Sequence, residues 1–284
     1  MNITHPHFVV SDLHLGDKGP RDNFAWMSGG WREQEFNNFL DYVVSEDGEL
    51  TIIGDLFELW QGNVSKVLTC RMPLLDRLAD MGARYLLGNH DIDLMYLTGT
   101  SGLMLDHPLF ADLKFSHTIE AGGRKILLIH GHEQDVYCKS EVPGIGRISA
   151  IYSGIREDKN GSPLNHRKYG GATVETRSLG RWGRFSQACR RLTGKKSASQ
   201  VMLNEVYQTF VRSGCEALIY GHTHEPGQFL LANGHNDKVP VYNTGTWAET
   251  VNTFARINED TGLVSLFNWT RDGFDCNTDE LKVK

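Results

Sequence analysis

The sequence predicts an α/β fold interrupted by one inserted cap, and three observations carry that reading. Short apolar runs alternate with helix-period stretches over the first 130 residues or so. Each apolar run ends in a small polar cluster rich in Asp, Asn and His. One stretch, 133–198, breaks the alternation with a Gly-rich, basic composition.

In chain order, His7-Phe8-Val9-Val10 reads as a strand that feeds Ser11-Asp12-Leu13-His14. Apolar residues at three- and four-residue spacing then predict a helix near Gln34–Val44. Leu50-Thr51-Ile52-Ile53 is the second strand, running into Gly54-Asp55, and Lys66–Met81 is the second helix. Ala83-Arg84-Tyr85-Leu86-Leu87 is a third strand, ending on Gly88-Asn89-His90-Asp91. Gly122-Gly123 separates two strand-like runs as a hairpin, the second of which (Lys125–Ile129) ends on His130. A helical stretch over Ser197–Ser213 leads to Glu216–Tyr220 and then to Gly221-His222-Thr223-His224. Strands are expected again from Val239 to Trp269, with a turn at Glu259-Asp260-Thr261-Gly262. Residues 1–132 and 199–284 thus form the expected core, and 133–198 the cap.

Composition narrows the function classes. No apolar run approaches the roughly 18–20 residues of a membrane helix, and the first residues lack the pattern of a signal peptide. Five scattered cysteines without a Cys-x-x-Cys pair read as reduced thiols in a cytoplasmic protein. A net charge of -6 argues against general nucleic-acid binding. Within this acidic chain, Lys139–Gln200 carries thirteen Lys/Arg against four acidic residues. That local excess fits an anionic partner met at one place, or else a solvated cap surface. Leu179, Trp182 and Phe185 fall near one helical face with Arg181 and Arg184 beside them, the pattern of a packed helix or of one that contacts lipid at a membrane surface.

The polar clusters carry the chemistry. In open α/β sheets, ligands bind beyond the carboxyl ends of the strands, so all five clusters are expected to converge on one edge. Asp12, His14, Asp55, Asn89, His130, His222 and His224 together offer hard oxygen and imidazole donors and no thiolate. Such a set suits manganese, iron or zinc better than calcium. Singly, an Asp-x-His, a Gly-Asp or a His-x-His is most often an ordinary loop. Five in order, each at a strand end, make a metal site the better account.

The same motifs resemble those of the calcineurin-like metallophosphoesterases, over residues 8 to about 250. The resemblance implies a two-sheet sandwich flanked by helices, with two divalent ions, manganese first among them, at one edge. Carried over, Asp12, His14 and His224 would hold the first ion and Asn89, His130 and His222 the second, with Asp55 bridging. A pair of ions stabilises both the attacking and the departing oxygens of an in-line displacement. The leaving group then needs a proton. His90 is the candidate acid, oriented by Asp91, while Asn89 would also contact the phosphoryl group. His132, two residues past His130, points the same way in a strand-like continuation, where it would line the pocket or else be a surface loop residue.

Within that family the chain is most similar to the UDP-2,3-diacylglucosamine pyrophosphohydrolases, through Ser11–Leu15, Gly54–Trp60, Gly221–Pro226 and Gly245-Thr246-Trp247. A helical insertion between the fourth and fifth motifs, which caps acyl chains, belongs to that branch too. Two departures stand out: His90 occupies a position that is typically Arg there, and the stretch His132–Tyr137 matches poorly. His can donate a proton to a poorer leaving group, whereas Arg cannot. The expected substrate is therefore a nucleotide-linked or amphipathic phosphate compound, bound in part by Arg181 and Arg184 of the cap. A nuclease or protein phosphatase on the same fold, and a catalytically silent metal-binding scaffold, are the alternatives.

Overall fold

The computed structural model describes residues 3–19, 22, 24, 31–97, 106–134, 210, 213–232, 238–248, 251–270, 273–276 and 282–283. Apart from Glu133 and Gln134, the cap lies outside the described residues, as does most of the helical stretch expected over Ser197–Ser213.

The alternation resolves into two six-stranded sheets. In the first, β1 (His7–Val10), β2 (Glu49–Ile53) and β3 (Arg84–Leu86) run parallel, in that spatial order. β9 (Asn252–Ile257) pairs antiparallel with the free side of β1, and β10 (Val264–Thr270) and β11 (Gly273–Cys276) extend the sheet outward. In the second sheet β5 (Arg124–Ile129), β6 (Ala217–Tyr220) and β8 (Lys238–Asn243) are parallel neighbours. β4 (Ser116–Ala121) closes one side of it, and β7 (Gly227–Ala232) and β12 (Lys282–Val283) the other. The Gly122-Gly123 hairpin joins β4 to β5, and both glycines have positive φ, 55° and 76°. A two-residue turn of that hand matches the twist of the flanking strands.

Strand periodicity explains the layering. Successive strand residues face opposite sides, so a strand buried on both faces is apolar throughout. In β1, Phe8 and Val10 join the cluster under the helices, while Val9 faces the second sheet. In β5, Ile126 and Leu128 meet the first sheet, whereas Leu127 and Ile129 pack outward with Phe210 and Cys215. The inter-sheet layer contains Val9, Ile53, Leu86, Ile119, Ile219 and Ala255, all buried.

Two helices cover the first sheet. α1 (Trp31–Ser45) buries Phe36, Phe39, Leu40 and Val43 at helical spacing. Phe39 lies 5.1 Å, centroid to centroid, from both Trp247 and Phe254. α2 (Val64–Asp80) starts at Asn63, whose side chain accepts from the Lys66 N–H. It buries Val67, Leu68, Leu74, Leu75 and Leu78. Arg71 is buried in the same face, where it donates to the Gly16 carbonyl (3.0 Å) and pairs with Asp22 and Glu33. A third helix, α3 (Leu94–Leu97), is a single turn. Among the described residues no helix is long and apolar enough to cross a membrane.

This is the expected sandwich of two sheets with helices on the outside. β7, β11 and β12 are additions that the sequence did not announce.

Candidate metal centre

Every proposed ligand follows the carboxyl end of a strand: Asp12 and His14 after β1, Asp55 after β2, Asn89 after β3, His130 after β5, His222 and His224 after β6. These strands are parallel within each sheet, so the five loops emerge on one edge. Five of the seven residues adopt left-handed backbone conformations: Asp12 (φ 54°), His14 (50°), Asp55 (51°), His222 (68°) and His224 (57°). Positive φ is uncommon for residues other than glycine and costs about 1–3 kcal/mol each, so the surrounding sheets must hold these turns in place. Small neighbours make the convergence feasible. A methyl group at Gly88 would overlap the Asp55 carboxylate, and one at Gly221 would overlap Ser11 and Asp12.

The side chains then meet. Asp12, His14 and His224 offer ligand atoms within 4.8 Å of one another, and so do Asp55, His130 and His222. His14 Nε2 lies 3.1 Å from His224 Nε2, which is itself 3.1 Å from Asp12 Oδ1. Asp55 Oδ2 lies between the two groups, 3.8 Å from His14 Nε2 and 3.2 Å from His130 Nε2. Asn89 Oδ1 is 3.2 Å from His130 Nε2. All seven residues are at least nine-tenths buried. Ring nitrogens and carboxylate oxygens aimed at common points are the arrangement that divalent cations satisfy, so the donor set fits the metal chemistry expected of it.

Hydrogen bonds behind the ligands select the atoms that face inward. His130 Nδ1 sits 2.9 Å from the Ile53 carbonyl, which fixes the proton there and leaves Nε2 as the donor to a metal. The same contact bridges the two sheets. Asp12 Oδ2 accepts from the His222 N–H (2.9 Å) and from the Ser11 hydroxyl, leaving Oδ1 directed at His224. Asp55 Oδ1 accepts from the His90 N–H at 2.9 Å, leaving Oδ2 between the groups. Burial would raise the Asp12 and Asp55 carboxyls, but the surrounding imidazoles outweigh it and hold both well below the ordinary range.

His90 is 3% exposed and is fixed on three sides. Both Glu58 oxygens lie 2.9 Å from its Nδ1, Trp60 stacks on the ring at 3.9 Å, and His14 meets it edge-on at 4.7 Å. Glu58 therefore orients the imidazole, not Asp91 as expected. The Asp91 carboxylate turns the other way, accepting from the Gly88 N–H (2.7 Å), the Leu56 N–H (2.8 Å) and the Tyr85 hydroxyl. It braces the loops, and burial together with the Asp55 charge pushes its pKa up to about 6. Burial opposes ionisation of Glu58, but His90 and His14 prevail and hold its carboxyl at about 2. Glu58 carried no assignment from the sequence. Its position three residues after Asp55 was the available signal.

His132 also departs from expectation. It begins a 3-10 turn, His132–Gln134, instead of continuing a strand. It is buried, with its ring 5.4 Å from His130 and 6.1 Å from Phe115. Arg181 and Arg184 lie outside the described residues.

The profile of the calcineurin-like phosphoesterase family matches residues 6–226, a span that contains all seven proposed ligands. Among curated proteins, the chain is similar to a UDP-2,3-diacylglucosamine hydrolase from Chromobacterium violaceum, 28% identical over 233 residues, covering 79% of this chain and 84% of that one. A protein of the same name from Hahella chejuensis is 27% identical over 258 residues, covering 86% and 90%. Among solved structures, Vps29 of Chaetomium thermophilum aligns over 96% of both chains at 10% identity, with a TM-score of 0.46. With the family profile spanning most of its length and the five ligand loops gathered on one sandwich edge, this chain belongs to the calcineurin-like phosphoesterases and is a metallophosphoesterase.

Proposed function

We propose that the chain holds two divalent ions, with manganese the first choice, and hydrolyses a phosphoester or phosphoanhydride bond in a nucleotide-linked or amphipathic phosphate compound. The observation that carries the two-ion reading is the position of Asp55 Oδ2 between two donor groups drawn from different loops. Asp12, His14 and His224 would hold one ion, Asn89, His130 and His222 the other, and Asp55 both. When bound, such a pair supplies a nucleophile at neutral pH and charge stabilisation for the in-line displacement.

The chain's own residues do the rest. His90 donates a proton from its Nε2 to the departing oxygen, because Glu58 occupies the Nδ1 side. Trp60 stacks on His90 and excludes water from that face of the ring. The Asn89 amide N–H₂ and His132 would contact the phosphoryl group, and the basic cap of 133–198, through Arg181 and Arg184, a further anionic or lipid-linked part of the substrate. The names of relatives such as these, at 24–28% identity, favour a diacylated sugar nucleotide.

The test is a screen of the manganese-loaded protein against aryl phosphates, phosphodiesters, single-stranded DNA, phosphopeptides and nucleotide-sugar pyrophosphates with and without acyl chains. The reading expects the largest kcat/KM on an acylated sugar nucleotide. Preference for DNA or a phosphopeptide would replace it with a nuclease or protein phosphatase. No hydrolysis of any class, with metal bound, would make the chain a silent scaffold.

A further inference from the structure

We infer that Ser11 is a positioning residue for the first metal position alone, setting its affinity through Asp12. The inference rests on the two-ion reading above for the identity of the positions. Ser11 is fully buried. Its hydroxyl donates to Asp12 Oδ2, and its oxygen lies 2.7 Å from the Thr244 Oγ1, in a pocket that Gly221 keeps open by lacking a side chain. Thr244 is in turn anchored, its N–H donating to the Tyr220 carbonyl at 2.9 Å and its own carbonyl accepting from the Thr253 hydroxyl. Hydrogen bonds therefore link β9 to the Thr244 main chain, and the Thr244 and Ser11 hydroxyls to the Asp12 carboxylate. They keep Oδ2 engaged and Oδ1 turned to His224, 3.1 Å away.

The second position is built differently. His130 is oriented by the Ile53 carbonyl and Asp55 Oδ1 by the His90 N–H, both main-chain groups. Ser11 acts through Asp12, which belongs to the first position, so removing its hydroxyl should loosen that position first. Groups that orient a ligand from behind typically contribute 10–100-fold to metal affinity.

The experiment uses the full chain, stripped with chelator and titrated calorimetrically with Mn²⁺. Two further backgrounds separate the positions: His222→Ala, which disables the second, and His224→Ala, which disables the first. Ser11→Ala should weaken the ion remaining in the His222→Ala background by about 10–100-fold and leave the ion in the His224→Ala background unchanged. Thr244→Val, which keeps the volume but removes the hydroxyl behind Ser11, should weaken the same ion by a smaller factor. Thermal unfolding of the metal-free variants checks that the fold survives. Equal weakening in both backgrounds, or none in either, overturns the inference. A wild-type stoichiometry of one ion overturns the two-ion reading instead, and a Ser11 effect on that single ion would still uphold the positioning role.

Discussion

Replacing Glu58 with Gln tests whether the buried carboxylate serves catalysis through His90. Glu58 lies 2.9 Å from His90 Nδ1 and 3.4 Å from His14 Nδ1, in a site where all three side chains are almost fully buried. A glutamine fills the same volume but offers a single acceptor oxygen to two imidazoles. One ring must then lose its partner or reverse its tautomer. A positioned acid contributes about 10²–10⁴-fold, and a residue that orients it is worth roughly 10–100-fold of that. The expected loss in kcat for phenyl phosphate is thus ~10–100-fold, or about 1.4–2.7 kcal/mol in the barrier. For 2,4-dinitrophenyl phosphate, whose leaving group departs without a proton, the loss should be ~3-fold or less. The assay is kcat across a series of aryl phosphates at saturating manganese, with bound metal measured in parallel. A uniform loss across the series, or a loss that follows metal content, would refute the role assigned to the Glu58–His90 pair.

Other consequences can be checked separately. Asp55→Ala should bind at least one ion fewer and lower turnover more than any other single ligand change, because on the two-ion proposal Asp55 Oδ2, within 3.8 Å of both His14 and His130, serves both ions; normal metal content in this variant would exclude the bridging role. His117, half-buried and crowded by Arg84 and His7, has its pKa lowered to about 4, burial being the largest cause. The unfolded chain takes up a proton there from about pH 6.5 downward while the folded protein does not, so this residue subtracts stability between pH 6.5 and 4. His117→Asn should therefore gain stability relative to wild type as pH falls from 7 to 4.5, whereas a pH-independent difference between their unfolding midpoints would contradict that. In the cap, Arg181→Gln with Arg184→Gln should raise KM for an acylated sugar nucleotide about 5–100-fold at low salt, less at high salt, and leave a small aryl phosphate unchanged; equal loss on both substrates would mean damage to the fold instead.

The convergence of the candidate ligands was legible in the sequence because each strand ends where its polar cluster begins, and parallel strands put such ends on one edge. Apolar runs such as His7-Phe8-Val9-Val10 also announce a strand buried on both faces. What binary pattern does not encode is the backbone turn after each strand. Adjacency pairs Asp91 with His90, yet the chain bends over residues 89–91 and the Asp91 carboxylate faces Tyr85 and the Gly88 N–H. Glu58 is distant from His90 in sequence by 32 residues and reaches it only because β2 and β3 are neighbours. Ser11 belongs to the first motif, but the role inferred for it depends on Thr244, 233 residues away. His132 departed from the strand direction because a 3-10 turn begins at that residue.

The site cannot be assigned to either sheet. The first sheet supplies Asp12, His14, Asp55 and Asn89, and the second supplies His130, His222 and His224. Two of the three donor groups draw on both, His224 joining Asp12 and His14, and Asp55 joining His130 and His222, while His14, Asp55 and His90 all follow strands of the first sheet. Ligand geometry therefore depends on how Val9, Ile53 and Leu86 pack against Ile126, Leu128 and Ile219 between the sheets. A close-packed interior relaxes only partly when atoms are removed, so a cavity in this layer would shift one half of each of those two donor sets against the other. The contact from His130 Nδ1 to the Ile53 carbonyl is where that layer meets the edge, and Gly54, beside it, has no room for a side chain against the His130 ring. The left-handed turns at Asp12, His14, Asp55, His222 and His224 are held by the same packing. A sandwich with its candidate ligands divided between two sheets thus couples the rigidity of the inter-sheet core to the separation of its donor groups, which the proposed bridging by Asp55 would require.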